Sequence, residues 1–193
     1  MDKDTLQEHL KGLGACTEAV KWAEGKTLKQ AYSQCTRADW LLWLFGKMIE
    51  TPGWPDRNRL VLTACDCAET ALKYVTDGED RPRKAIEAAR AWTRGEATLE
   101  DVRIAANAAA SAASAAAVVY AAAYAADAAY AANAADAGAF AAFAANAANA
   151  ADAADDTYAT YAAAAAAAAA HENMCEIIRK RLKLPVNRIA EEE

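Results

Sequence analysis

The sequence predicts an all-α protein, a multi-helix bundle with short amphipathic helices in its first half and alanine-rich helices in its second. Between residues 105 and 170, 43 of 66 residues are alanine, which has the highest intrinsic helix propensity, and none is proline. In the first hundred residues, apolar side chains recur at helical spacing. No stretch alternates polar and apolar residues as a half-buried strand would.

A chain of 193 residues is long enough for one domain with a substantial core. We expect that domain to span residues 1–185, with short amphipathic helices over 1–100 and alanine-rich, closely packed helices over 101–185. Residues 186–193 are expected to form a flexible tail, because chain ends without apolar anchors are commonly disordered.

Helix-capping residues, glycines and prolines divide the first hundred residues into short segments. The predicted helices cover residues 5–13, 15–24, 28–35, 37–46, 56–74 and 83–94. Thr27 is the expected cap of the third. Thr98, with an acid three positions later at Asp101, is the expected cap of a long helix that enters the alanine-rich region.

The most hydrophobic segment is residues 37–46, which contains Trp40 and Trp43. A helix that is apolar on most sides is usually buried, so this segment is the expected core of the N-terminal half. The alternative is an aromatic ligand-binding box that uses the same two tryptophans.

Within the alanine tract, residues 105–170, other residues recur every three or four positions. Because a helix turns by about 100° per residue, this spacing winds around the helix and leaves one straight rod without a constant apolar face. We therefore expect about two to four shorter helices, with breaks near Gly138 and Asp155. Helices lined by methyl groups can approach closely, so the tract could also form a homo-oligomer.

Charge and composition exclude several classes of function. The net charge is −6, and the alanine tract holds five acidic residues and no basic one, so no nucleic-acid partner is expected. No apolar run is long enough to span a membrane and the N-terminus lacks a signal-peptide core, so we expect a cytoplasmic protein. The five cysteines lack CxxC spacing and are expected to be buried small side chains rather than metal ligands.

No catalytic, cofactor or metal-binding motif is present, so we expect no enzyme activity, cofactor or metal. The most compact charged cluster is Glu79, Asp80, Arg81, Arg83 and Lys84. As a structural element, it would be a solvated helix N-terminus with Asp80 as the cap. As a functional element, its three basic side chains would bind an anion or an acidic partner.

Several segments occur in an order typical of a known family. The most specific is Gly78 to Val102, and the others include Ala38-Asp-Trp-Leu-Leu-Trp-Leu44 and Cys175-Glu-Ile-Ile-Arg-Lys180. In this arrangement the chain resembles the immunity-protein-five-like family of immunity proteins, found in bacterial and phage genomes. The resemblance covers nearly the whole chain up to Pro185. It implies a cytosolic protein that neutralises a toxin by binding it, and it carries over no catalytic residue.

We therefore expect a non-enzymatic binding protein that neutralises a toxin or defence effector by direct contact. An acidic helical surface can cover a basic active site, and complementary charge speeds association. Tyrosine provides large contact area at small entropic cost. The expected interface residues in the alanine tract are Tyr124, Asp127, Tyr130 and Asp136.

The alternative is a helical bundle that sequesters a small nucleotide-type signal. Such a bundle needs a pocket lined by tryptophan or tyrosine, with basic side chains to hold phosphates. Arg81, Arg83 and Lys84 are the clustered candidates for that role. Ice binding is disfavoured because the tract has only Thr157 and Thr160 instead of a regular row of threonines.

Overall fold

The computed structural model describes residues 3–70, 72, 77–115 and 171–185, with side chains described for 6–70, 72, 77–109 and 171–185. These residues form eight helices and contain no strand, which confirms the all-α prediction. The helices are α1 (Lys3–Gly12), α2 (Thr17–Trp22), α3 (Leu28–Gln34), α4 (Ala38–Lys47), α5 (Arg57–Glu69), α6 (Arg81–Thr93), α7 (Leu99–Ala115) and α8 (residues 171–181).

Two predicted caps are present at the starts of α3 and α7. The Gln30 backbone N–H donates to the Thr27 hydroxyl at 3.2 Å, and the Thr27 N–H donates to the Gln30 side chain at 2.9 Å. At α7 the Asp101 N–H donates to the Thr98 hydroxyl at 3.1 Å, and the Thr98 N–H donates to the Asp101 carboxylate at 2.8 Å. Each reciprocal pair satisfies two backbone N–H groups at its helix N-terminus.

Several helices differ from the prediction by two residues or more at an end: α1 begins at Lys3 and α2 spans Thr17–Trp22. Helix α5 ends at Glu69 rather than near residue 74. At this end the Thr70 hydroxyl donates to the Cys67 carbonyl at 2.7 Å and closes the last turn. Helix α6 begins at Arg81 rather than residue 83 because Pro82, which lacks an N–H, fits the first helical turn without losing a hydrogen bond.

Two differently packed regions make up the core. Helix α6 packs against α5 and α7, and the buried side chains there are mostly small, including Ala68, Ala85, Ala89 and Ala106. We call α5–α8 the small-residue region. Helices α1–α4 contribute aromatic side chains to the core, and Phe45 is among the most deeply buried. We call α1–α4 the aromatic region.

Helix α8 ties the two regions together. The Arg179 guanidinium donates to the carbonyls of Tyr32, at 3.0 Å, and Cys35. In return, the Tyr32 hydroxyl donates to the carbonyl of Leu182 at 2.6 Å. The last described segment of the chain is therefore held against α3 by hydrogen bonds in both directions.

The first residues of the alanine tract, 105–115, are helical as part of α7. The other helices predicted for the tract, with their breaks near Gly138 and Asp155, lie outside the described residues, as does the predicted tail over 186–193. In the described part of the chain, no helix is long and apolar enough to cross a membrane.

Candidate functional site

A cavity of about 350 Å³ lies among α1, α2, α3 and α4. Its volume falls within the range of roughly 300–1,000 Å³ that is typical of small-molecule pockets. Buried leucines of α1, α3 and α4 form part of its lining, and Ala19 of α2 also lines it: the leucines are Leu6, Leu10, Leu28, Leu41 and Leu44. We call this cavity the aromatic pocket, after the rings that form the rest of its wall.

The short helices around the pocket follow from local sequence. Helix α2 has six residues and α3 has seven, and glycines with positive φ precede and follow α2, at Gly14 (81°) and Gly25 (68°). A residue with a side chain rarely adopts this conformation, so the glycines allow the chain to reverse within a few residues. The resulting corners bring Trp22 of α2 close to Trp40 of α4.

Three half-buried tryptophans, Trp22, Trp40 and Trp43, line the pocket together with Tyr32. The rings of Trp22 and Trp40 meet edge to face, with centroids 5.8 Å apart and planes inclined by 61°. Burial raises the pKa of Tyr32 to about 12, against the opposing charge of Arg179, so its phenol is neutral at physiological pH. The aromatic part of the wall is therefore uncharged.

Each of these tryptophans has a basic side chain over its ring. The charged groups lie 4.7, 4.8 and 5.7 Å from the ring centroids, for Lys26 on Trp22, Arg37 on Trp40 and Lys47 on Trp43, respectively. Arg37 also lines the cavity, whereas Lys26 and Lys47 do not. The two lysines therefore contact their indoles from outside the cavity.

The polar edge of the pocket is a charge pair. Arg37 donates to both carboxylate oxygens of Asp39, from Nε at 2.9 Å and from Nη2 at 2.7 Å. His171 Nδ1 lies 4.0 Å from Asp39 Oδ1, and burial lowers the pKa of this histidine while Asp39 opposes the effect. Glu18 is the other acidic residue that lines the pocket, and it is exposed.

One of the five cysteines is exposed, contrary to the prediction that all are buried. Cys16 lines the pocket, and its sulfur accepts a hydrogen bond from the Ala19 N–H at 3.4 Å, because it serves as the N-cap of α2. The other cysteines are buried, and burial raises the pKa of Cys65 and of Cys175 to about 12. Cys16 is thus the accessible thiol.

A second groove of about 210 Å³ lies between the start of α6 and α7, and its basic lining residues are Arg81 and Lys84. Arg81 Nε donates to Glu79 at 2.8 Å, and this contact lowers the pKa of the Glu79 carboxyl to about 2. Asp80 precedes α6 but makes no capping hydrogen bond through its side chain. Glu79 accepts the Arg81 backbone N–H at 3.0 Å instead. None of the described residues that line this groove is aromatic.

The predicted site residues thus lie in three places. Trp40 and Trp43 line the aromatic pocket. Arg81 and Lys84 line the groove, with Glu79 and Asp80 beside them and Arg83 on the exposed surface of α6. The expected interface residues of the alanine tract, Tyr124, Asp127, Tyr130 and Asp136, lie outside the described residues.

Sequence reasoning missed Trp22 and the three basic side chains over the indoles, although the sequence contains a signal for them. Each of these tryptophans has a lysine or arginine three or four positions away: Trp22 and Lys26, Arg37 and Trp40, Trp43 and Lys47. In a helical chain this separation places two side chains on the same face. A search for aromatic residues with basic partners at this spacing would have found the wall of the pocket.

Among the described residues, no three His, Cys, Asp or Glu side chains are close enough together to hold a metal ion. No protein-family model, characterised protein or solved structure matches this chain. The resemblance to immunity proteins therefore stays a prediction from the sequence.

Proposed function

We propose that this protein is a non-enzymatic binding protein that sequesters a small planar ligand in the aromatic pocket. The observation that carries the proposal is a cavity of about 350 Å³ with three half-buried tryptophans in its wall. Indole rings provide large apolar surfaces that favour stacked or edge-to-face contact with other rings. A planar ligand would cover these surfaces and fill the space between the helices.

The polar groups of the pocket favour binding over chemistry. Arg37 and Asp39 are hydrogen-bonded to each other through two contacts. The Cys16 sulfur accepts a hydrogen bond from the Ala19 N–H in the first turn of α2. A nucleophilic mechanism would need a base within hydrogen-bonding distance of the nucleophile. These side chains maintain the shape of the site instead.

Of the two functions suggested by the sequence, the pocket favours sequestration of a small signal. That hypothesis required aromatic and basic groups to converge. They do so around the pocket, although the basic residues are Lys26, Arg37 and Lys47 rather than the predicted Arg81, Arg83 and Lys84. A nucleobase is one planar group of suitable shape.

Neutralisation of a toxin or defence effector is the second candidate, and it rests on the family resemblance. Its expected surface includes Asp127 and Asp136, which are far along the chain from the pocket residues. Replacing both aspartates with lysine should abolish capture of a protein partner and leave ligand binding in the pocket unchanged. The two candidate functions can therefore be separated by mutation.

The proposal can be tested by titrating the protein with naphthol, a neutral planar probe, and following tryptophan emission. We expect saturable binding at one site. Ala19→Leu adds bulk to the pocket lining and should weaken binding by about tenfold or more, which corresponds to about 1.4 kcal/mol. Ala88→Leu makes the same change at a half-buried position of α6 outside the pocket and should bind normally. Equal affinity in wild type and Ala19→Leu, or no saturable binding, would overturn the proposal.

A further inference from the structure

We propose that the ligand of the aromatic pocket carries an acidic group on its planar ring, and that Lys26 and Lys47 select for that charge. The inference rests on the proposed function and specifies the class of ligand. It follows from the side chains that contact the three tryptophans.

The three indoles of the pocket already have cationic partners over their rings. The face of an aromatic ring attracts a positive charge, and pockets with bare tryptophan faces therefore suit quaternary ammonium ligands. Here Lys26 Nζ lies 4.7 Å from the Trp22 centroid, and Arg37 Cζ lies 4.8 Å from that of Trp40. A cationic ligand stacked on the opposite face would lie roughly 8 Å from the first cation and would be repelled by it.

The charged side chains around the pocket are more basic than acidic. Among the described residues, three basic groups contact the pocket tryptophans, whereas the acidic residues of the lining are Glu18 and Asp39. Asp39 accepts hydrogen bonds from Arg37 at both carboxylate oxygens, and these two charges balance each other. Glu18 is exposed to solvent. The two lysines therefore give the aromatic wall an excess of positive charge.

In the described part of the chain, the two lysine ammonium groups have no competing carboxylate. Among the described residues, neither Lys26 nor Lys47 lies within 4.0 Å of an acidic oxygen. Lys26 Nζ donates to the Trp22 carbonyl at 2.7 Å, which holds it beside the indole. Lys26 does not line the cavity, so it acts on a bound ligand through its charge rather than through a direct hydrogen bond. An acidic group at the mouth of the pocket would complete this arrangement.

The inference can be tested with three probes that share one ring: naphthalene sulfonate, naphthol and naphthyl trimethylammonium. At low salt we expect the sulfonate to bind more tightly than naphthol and the ammonium compound to bind most weakly. A difference of about fivefold or more between the two charged probes corresponds to a charge pair roughly 8 Å apart at the protein surface. Added salt should reduce the difference because it screens exposed charges.

Matched variants identify the groups responsible. The double variant Lys26→Met, Lys47→Met should lose most of the preference for the sulfonate and keep its affinity for naphthol. The double variant Lys21→Met, Lys29→Met removes the same charge from exposed positions on α2 and α3 and should keep the preference. Thermal unfolding of each variant would confirm that both remain folded.

Two outcomes separate this inference from the proposed function. Binding of naphthol together with equal or tighter binding of the ammonium probe would overturn the inference and leave the pocket as a ligand site. A preference that survives Lys26→Met, Lys47→Met would do the same. If none of the three probes binds, the proposed function fails, and the inference fails with it.

Discussion

The two regions of the core differ in the side chains that lie between their helices. In the small-residue region, Ala68, Ala85 and Ala89 are fully buried, so the backbones of α5 and α6 can approach closely. In the aromatic region, Trp22, Trp40 and Trp43 line a cavity among four short helices. The first region thus brings its helices into close contact, and the second encloses a pocket.

This difference assigns separate tasks to the two regions. A close-packed interior tolerates little change in volume. A wall of half-buried aromatic rings leaves room for another molecule. We therefore expect substitutions in α5–α8 to change stability and substitutions in α1–α4 to change binding.

The largest effect is expected where the two regions are joined. Arg179→Met removes the guanidinium that donates to the Tyr32 and Cys35 carbonyls, and should lower the free energy of unfolding by about 3 kcal/mol. Lys180→Met removes an exposed charge from the next position of α8 and should change stability by less than about 0.5 kcal/mol. Urea unfolding measures both. Equal stabilities for the two variants would show that Arg179 does not secure α8.

Replacing an alanine with leucine should lower stability in the small-residue region and weaken binding in the aromatic region. Ala68→Leu inserts extra carbon atoms into a position with 0% exposure and should cost about 2 kcal/mol of stability through overpacking. Ala19→Leu extends into the pocket and should leave stability within about 0.5 kcal/mol of wild type while it weakens binding. Similar losses of stability in both variants would contradict the separation.

A pH dependence is expected from His171, which faces Asp39 at the edge of the aromatic region. Burial lowers the pKa of His171 below its ordinary value of 6.5, so the unfolded chain takes up this proton more readily than the folded one. The contribution of His171 to the free energy of unfolding is therefore fully present above pH 6.5. It is lost as the pH drops below that value, by at most about 1.4 kcal/mol per pH unit. Unfolding curves of wild type and His171→Gln measure the effect. An identical pH dependence in both would exclude His171 as its source.

The smallest effect is a change in reactivity without a change in stability. Because Cys16 is exposed and the other cysteines are buried, one thiol should react rapidly with a disulfide reagent and the rest only upon unfolding. Cys16 lines the pocket, so a bound probe should cover its thiol. Saturating naphthalene sulfonate should slow the reaction of Cys16 by about tenfold, and lower concentrations should protect the thiol in proportion to the occupied fraction of the pocket. Peptide mass spectrometry identifies the labelled site. Undiminished labelling at saturation would place the probe elsewhere.

Local features of the sequence predicted much of the fold. The caps at Thr27 and Thr98 involve residues only three positions apart, so their partners are visible in the sequence. The hydrophobic segment over 37–46 correctly predicted a helix with a buried side, and it contains two of the tryptophans that line the pocket.

Contacts between distant segments could not be predicted in this way. Arg179 reaches Tyr32 across 147 positions, and no local pattern indicates that pairing. Trp22 and Trp40 meet only because two turns, at residues 14 and 25, orient α2 toward α4. The charged cluster at the start of α6 contains a local pair, in which Arg81 donates to Glu79 two positions before it.

The most direct test of the central claim is to purify the protein from its native host and to identify the small molecules released when it is denatured. We predict that wild type and Ala88→Leu release one planar, acidic compound in near-stoichiometric amount and that Ala19→Leu releases little of it. Equal release from Ala19→Leu would show that the compound binds outside the aromatic pocket. A stoichiometric protein partner that is lost upon Asp127→Lys and Asp136→Lys, with no small molecule released, would contradict the account and favour toxin neutralisation.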